Sequence, residues 1–212
     1  MEEQILLNVN CTRMPYIREV MEKCIEFTCG DTDLDDFFRH DVFFYEEEML
    51  SKCYCWVTNL APHQLVAIVT LTNDSIKSST LPKQSRNRFH RQFNNEKRNK
   101  TYPATLIGRL GVNVKLQGSH IGRQIMDYIK LTNLKAININ ACRFLVVEAL
   151  NNPKTLAYYE RNGFVFMHKT EEIERQSFKR YDQDGKLEYD LPEDQPLETR
   201  MMFFDLKKLS NP

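Results

Sequence analysis

Apolar and polar positions along the chain switch between a period of two and a period near 3.6, and the switches mark the elements. Ile5 to Cys11 reads as a first strand. A helix follows, with Thr12 as its cap, Pro15 in its first turn and Ile17, Val20, Met21 and Cys24 at i, i+3, i+4 and i+7. Cys29-Gly30-Asp31-Thr32 supplies a turn with capping residues, and from it a second helix is predicted with Leu34, Phe38, Val42, Tyr45 and Met49 along one face. Lys52 to Thr58 and Leu65 to Thr72 predict two strands joined by a turn around Pro62.

The second half continues the alternation. A short helix carrying Phe89 and Phe93 is expected within a basic run, then a strand from Thr105 to Val114. A glycine-containing turn opens a helix with Ile121, Ile125 and Ile129 on one stripe. Arg143 to Ala149 reads as an apolar strand of the buried type. A helix from about Pro153 stops before Gly163, Phe164 to Met167 forms a strand, and Arg200 to Leu206 a final one. There is no internal repeat and no low-complexity linker. Strands and helices alternating around a partly antiparallel sheet predict a mixed α/β or α+β fold. The expectation is a single domain over residues 1–212 with an acidic insertion at about 171–199.

Composition narrows the picture little. The 212 residues carry 29 basic and 29 acidic side chains, so a polybasic nucleic-acid coat is not the driver of function. The charge is nevertheless unevenly placed: residues 83–100 hold seven cations against one acid, and residues 171–199 hold ten acids against four cations. No stretch approaches the ~20 apolar residues that cross a bilayer. The acidic start, Met1-Glu2-Glu3-Gln4, argues against a secretory or transit peptide, so a cytoplasmic location is expected. Six cysteines are irregularly spaced with no Cys-x-x-Cys pair. Cys53 and Cys55 alternate in a strand and so share one face, where packing is favoured over metal ligation because a partner pair is missing.

Two segments carry candidate chemistry. The first runs Arg109-Leu110-Gly111-Val112-Asn113-Val114-Lys115-Leu116-Gln117-Gly118-Ser119-His120-Ile121-Gly122-Arg123. It reads as strand, short loop and helix start. Gly118 and Gly122 allow close backbone approach, and the N–H groups of the first helical turn then point into the loop. With the helix dipole they form an anion site that suits a diphosphate, to which Arg123 adds charge. Taken alone, the segment also describes an ordinary strand-to-helix turn. It has neither the Gly-Lys-Ser/Thr of a Walker loop nor the three-glycine spacing of a dinucleotide fingerprint. The second segment is Asn151-Asn152-Pro153-Lys154-Thr155-Leu156-Ala157-Tyr158-Tyr159-Glu160-Arg161-Asn162-Gly163-Phe164, whose tyrosines by themselves suggest no more than packing on a sheet.

In this order and spacing the two segments resemble the GNAT superfamily of acyl-CoA-dependent N-acetyltransferases. Gln117-Gly118-Ser119-His120-Ile121-Gly122 matches that family's glycine loop, Asn152 its asparagine, and Tyr159-Glu160-Arg161-Asn162-Gly163-Phe164 its last motif. One departure is His120, which stands where the family has a middle glycine. Phe27-Thr28-Cys29-Gly30 with Leu34-Asp35-Asp36-Phe37, and Arg109-Leu110-Gly111-Val112 after Tyr102-Pro103, resemble a branch that includes aminoacyl-tRNA-acetylating toxins of toxin–antitoxin modules.

The resemblance implies a mixed, mostly antiparallel sheet flanked by helices. A V-shaped splay would separate the strand at 105–114 from the strand at 143–149. It implies acetyl-CoA as co-substrate, with no metal. Leu110 and Val112 would pair with the pantetheine arm. Gln117, Gly118, Ser119, His120, Ile121, Gly122 and Arg123 would line the diphosphate, and Asn152 would bond along the arm. Tyr159 would be the general acid that protonates the departing thiolate, while Glu148, His120 or water are candidates for the base. The acceptor is a primary amine, with the α-amine of aminoacyl-tRNA as one alternative and a non-catalytic acyl-CoA-binding module as another. A homodimer, a tRNA or an antitoxin are the partners to be expected.

Overall fold

The computed structural model describes residues 10–92, 100–134, 141–181, 183–184, 186–192 and 195–210. Its strands are β1 (Cys11–Pro15), β2 (Lys52–Thr58), β3 (Leu65–Lys77), β4 (Thr101–Val112), β5 (Phe144–Leu150), β6 (Val165–Phe166), β7 (Arg180–Tyr181), β8 (Leu187–Tyr189) and β9 (Thr199–Asp205). Its helices are α1 (Arg18–Lys23), α2 (Thr32–Asp36), α3 (Val42–Glu47), α4 (Lys83–Arg91), α5 (Ile121–Leu134), α6 (Pro153–Arg161), α7 (Glu171–Arg175) and α8 (Lys207–Ser210). Seven strands hydrogen-bond in the order β1-β2-β3-β4-β5-β9-β6, and β7 and β8 form a separate hairpin. This is the mixed, mostly antiparallel sheet with flanking helices that the motifs imply.

The chain divides into two compact units, residues 1–73 with 106–140 and residues 74–105 with 141–212. β3 and β4 run through both. In the first unit β1 pairs antiparallel with β2 from Cys11↔Thr58 to Pro15↔Tyr54. Thr12 and Pro15 therefore lie in an edge strand, where a missing N–H is tolerated, and not in a helix start. The helix begins only at Arg18 and buries no residue. The strand expected over 5–11 otherwise lies outside the described residues.

The second predicted helix is also altered. Between α2 and α3 the chain makes a π-helical turn, Phe37–Asp41. A π turn lengthens the repeat by about one residue. The buried pairs are accordingly Phe37 with Phe38 and then Val42 with Phe43, while Met49, expected on the buried face, is 84% exposed beyond the helix end. These aromatics pack with Tyr16, Phe27, Cys53, Cys55, Leu65 and Ile68 into one core. Cys53 and Cys55 do share a buried face, and burial pushes the Cys55 thiol up to about 12. Among the described residues no His, Cys, Asp or Glu cluster is arranged to hold a metal.

In the second unit, Phe89 of α4 meets Tyr102, Phe144 and Phe203 at ring-centroid distances of 5.2, 5.1 and 5.3 Å. β9 runs antiparallel between β5 and β6. Part of the acidic run is internal bracing. Glu174 is buried and accepts from the Arg200 side chain and the Met201 N–H. Glu171 accepts from Leu197 and Asn151, and Lys179 lies 2.6 Å from Asp190. The run thus pairs with its own cations and with β9. The cations of α4, Lys83, Arg86, Arg88 and Arg91, have no carboxylate partner among the described residues. Phe93, expected on the same helix, lies outside them. No helix of the described residues is long and apolar enough to cross a membrane.

Candidate active site

The two motif segments fall in different units, and each has its own local logic. In the first, β4 ends at Val112 and Asn113 locks the exit. Its N–H donates to the Val66 carbonyl at 2.9 Å, its Nδ2 to the Leu65 carbonyl at 2.9 Å, and its Oδ1 accepts from Lys115 N–H at 3.1 Å. A single 3-10 turn, Val114–Leu116, follows. The Gln117 amide then donates to the carbonyls of Cys29 and Val112 at 2.7 and 3.1 Å. The loop is held from both sides before the glycine is reached.

Gly118 sits at φ +83° with open space where a side chain would project. His120 sits at φ +64°, the left-handed region that His enters more readily than bulky residues do. The departure from glycine at this position therefore keeps the turn. Two left-handed residues in one short turn reverse the chain into α5 and converge its amides. The N–H groups of Gly118, Ser119, His120 and Ile121 have no acceptor among the described residues. The Ser119 hydroxyl turns back to the Leu116 carbonyl, and Arg123 is mostly exposed, 4.0 Å from Asp127. What converges on the turn is main-chain N–H, with Ile121, Ile125 and Ile129 buried beneath to anchor the helix.

The N-terminal signature explains itself as the brace of this turn. Asp35 accepts from the Thr28 hydroxyl at 2.6 Å and the Cys29 N–H at 2.7 Å. Thr28 O in turn accepts from Val114 N–H at 2.9 Å. Gly111 lies so close to Phe27, Cys29 and Phe38 that an added Cβ would come within 2.9 Å of the Phe38 ring. Burial pulls the Asp35 carboxyl upward, but the hydrogen bonds from Thr28 and Cys29 outweigh it and hold the group below its ordinary value. Its stabilisation is therefore full above the unfolded carboxylate pKa of ~3.9 and fades as pH falls through the folded value. Asp35→Asn is expected to cost about 1 to 2 kcal/mol at pH 7, allowing for partial exposure. Urea titrations at pH 7 and pH 3 check this: the gap between wild type and variant should close at the lower pH.

In the second unit Asn152 caps α6, its Oδ1 accepting from Thr155 N–H at 2.9 Å, and Pro153 takes the first helical position. The Nδ2 of Asn152 has no acceptor among the described residues. The last turn of α6 carries Tyr159, whose residue is 7% exposed and whose ring meets Phe164 edge-on at 5.4 Å. Phe164 N–H bonds back to the Tyr159 carbonyl at 3.0 Å across Gly163. The motif thus clamps the tyrosine ring between its own helix and the following strand. The hydroxyl has no partner among the described residues. Burial pushes the phenol well above its ordinary value, so it holds its proton at neutral pH. Glu148, a candidate base, is an exposed residue of β5.

Sequence reasoning quoted Arg109 without giving it a role. In the structure its guanidinium lies 3.7 Å over the Phe37 ring. An arginine inside an otherwise apolar and glycine-bearing strand was the signal. His168, which belongs to neither motif segment, is buried and bonded to the Ser85 hydroxyl at 2.8 Å, and burial followed by the Arg200 charge pushes it down to about 4.

No protein-family model and no curated protein matches the chain. Solved structures do. A tyrosine-to-phenylalanine mutant of KacT superposes with a TM-score of 0.64 at 18% identity, covering 95% of this chain and 98% of that one. AtaT complexed with acetyl-methionyl-tRNAfMet matches at 0.59 and 19% identity over 94% and 97% of the two chains. A tyrosine-to-phenylalanine mutant of the AtaT toxin, bound to the C-terminus of the antitoxin AtaR and acetyl-CoA, matches at 0.57 and 17% identity over 95% and 96%. At these identities the likeness is one of fold, and the fold is GNAT.

Proposed function

We propose that the chain is an acetyl-CoA-dependent N-acetyltransferase whose acceptor is the α-amine of aminoacyl-tRNA. The observation that carries the donor half is the turn at 118–121, where four successive main-chain N–H groups have no acceptor among the described residues and none of those residues fills the space over Gly118. Such a turn at a helix start fits a diphosphate. The acceptor half is supported by the AtaT complex with acetyl-methionyl-tRNAfMet and by the cations of α4, which have no carboxylate partner among the described residues and suit a phosphate backbone.

The residues then act in order. Amides of residues 118–122 hold the diphosphate, Leu110 and Val112 offer main-chain groups to the pantetheine arm, and the Asn152 amide is a further donor to it. Fixing donor and acceptor together removes several kcal/mol from the barrier. A main-chain N–H near Val112 stabilises the charge that builds on the thioester oxygen as the neutral amine attacks. A C–N bond forms, the C–S bond breaks, and Tyr159 gives its proton to the leaving sulfur while the amine releases one to solvent. Burial keeps the phenol protonated at neutral pH, the state in which it can donate to the leaving sulfur. His120 at positive φ preserves the turn, so its departure from the family's glycine does not by itself favour a binding-only module.

Labelled acetyl-CoA with methionyl-tRNA, free methionine and an N-terminal methionyl peptide tests the reading. Transfer to the tRNA at a kcat/KM at least about tenfold above the peptide is expected. Transfer to the peptide alone would move the acceptor to proteins, and release of thiol with no acceptor at all would end the enzymatic reading. The toxin-type reading adds growth arrest on expression and relief by an antitoxin, as the AtaR complex suggests.

A further inference from the structure

We propose that Arg109 docks the 3′-terminal phosphodiester of the acceptor RNA; the inference rests on aminoacyl-tRNA being the acceptor. Arg109 stands on β4 next to Leu110. Its Cζ lies 3.7 Å from the Phe37 ring centroid and 5.9 Å from that of Tyr45. Phe37 is buried and is itself fixed edge-on to Phe38 and Tyr45, at 5.7 and 5.3 Å. The main chain is fixed as well, since Arg109 N–H donates to Thr70 Oγ1 at 2.9 Å. The guanidinium is held over the Phe37 ring.

What it lacks is a counter-charge. The guanidinium of Arg109 is half-buried, yet among the described residues it has neither a carboxylate partner nor a hydrogen-bond acceptor. Three other arginines are answered by carboxylates: Arg39 by Glu26 at 2.6 Å, Arg143 by Asp205 at 2.8 Å, Arg200 by Glu174. Stacking on a ring offsets part of the cost of desolvating a cation but leaves its in-plane N–H fork open. That fork matches the two oxygens of a phosphodiester, and the outer face of a stacked guanidinium takes a nucleobase.

Position selects the ligand. Adjacent Cα atoms are about 3.8 Å apart, so Arg109 stands beside the main-chain groups of Leu110 that would meet the acyl arm. An anion bound there is close to the reacting amine. In an aminoacylated RNA end, one ribose separates the aminoacyl ester from the last phosphodiester. A peptide amine has no such neighbour.

Steady-state kinetics with methionyl esters of adenosine and of the dinucleotide cytidylyl-adenosine test this, because only the second carries a phosphodiester. The wild-type chain is expected to prefer the dinucleotide by at least about tenfold in kcat/KM, and Arg109→Gln to bring that ratio close to one. With methionyl-tRNA, Arg109→Gln should raise the acceptor KM at least about tenfold while the acetyl-CoA KM moves less than about twofold. Arg109→Lys keeps charge without the fork and should retain only part of the preference; it carries the test if the glutamine variant does not fold. A variant that keeps the full preference, or that raises both KM values together, overturns the assignment. A wild-type chain that acetylates peptides and none of the RNA acceptors overturns the acceptor reading and this inference with it. Transfer to tRNA with Arg109→Gln unchanged overturns the inference alone.

Discussion

Tyr159→Phe is expected to leave coenzyme A binding within about twofold of wild type and to lower acetyl transfer about 100-fold, the effect of removing a positioned general acid. The substitution is unusually clean. The ring is what the fold uses: it is buried and packs on Phe164 and Tyr158. The hydroxyl makes no hydrogen bond to the described residues, so its loss leaves no orphaned partner. Thermal melting should therefore be unchanged, and a fall in kcat with intact stability isolates the proton. Transfer rates equal to wild type would reduce Tyr159 to a packing residue. Titration of the phenol adds nothing near neutrality, because burial holds it protonated there. Any break in the pH profile between about 6 and 9 then belongs to the acceptor amine or a base.

Gly118→Glu carries the second large effect, a fall in coenzyme A affinity of at least about 100-fold. Two costs combine. The left-handed φ of +83° disfavours any side chain with a Cβ, which costs on the order of 1 kcal/mol. The carboxylate then projects into open space over the converging amides, where the diphosphate is proposed to lie. Gly118→Ala separates the two, since it has the strain without the charge and should lose less than about tenfold. Calorimetric titration of coenzyme A into both variants, with circular dichroism to confirm folding, reads the difference. Equal affinities for wild type and Gly118→Glu would remove the turn from the donor site.

The sheet and its motifs were legible because local signals agreed with the tertiary structure. The stripe Ile121, Ile125 and Ile129 is buried, the apolar run at 143–149 is β5, and Asn152-Pro153 starts α6 as capping chemistry requires. Misreadings arose where one residue type serves two structures. Thr12 and Pro15 suit a helix start and an edge strand alike, and only the pairing with β2 decides between them. The π turn at Phe37–Asp41 was invisible to a 3.6-residue template, which skipped Phe43 and placed exposed Met49 in the core. The acidic run was legible only as an insertion, because a carboxylate's partner cannot be read from spacing; Glu174 and Glu171 prove to be internal ties. The candidate site was legible as a motif, but the reason for its N-terminal signature was not. Asp35 and Thr28 brace a turn more than eighty residues away, a contact that exists only once the chain is folded.

A crystal structure of the chain with coenzyme A bound tests the central claim most directly. The account predicts diphosphate oxygens within about 3.2 Å of main-chain nitrogens of residues 118–122, and the thiol sulfur as the ligand atom nearest the Tyr159 hydroxyl. A diphosphate seated elsewhere, or a sulfur remote from that phenol, would contradict it.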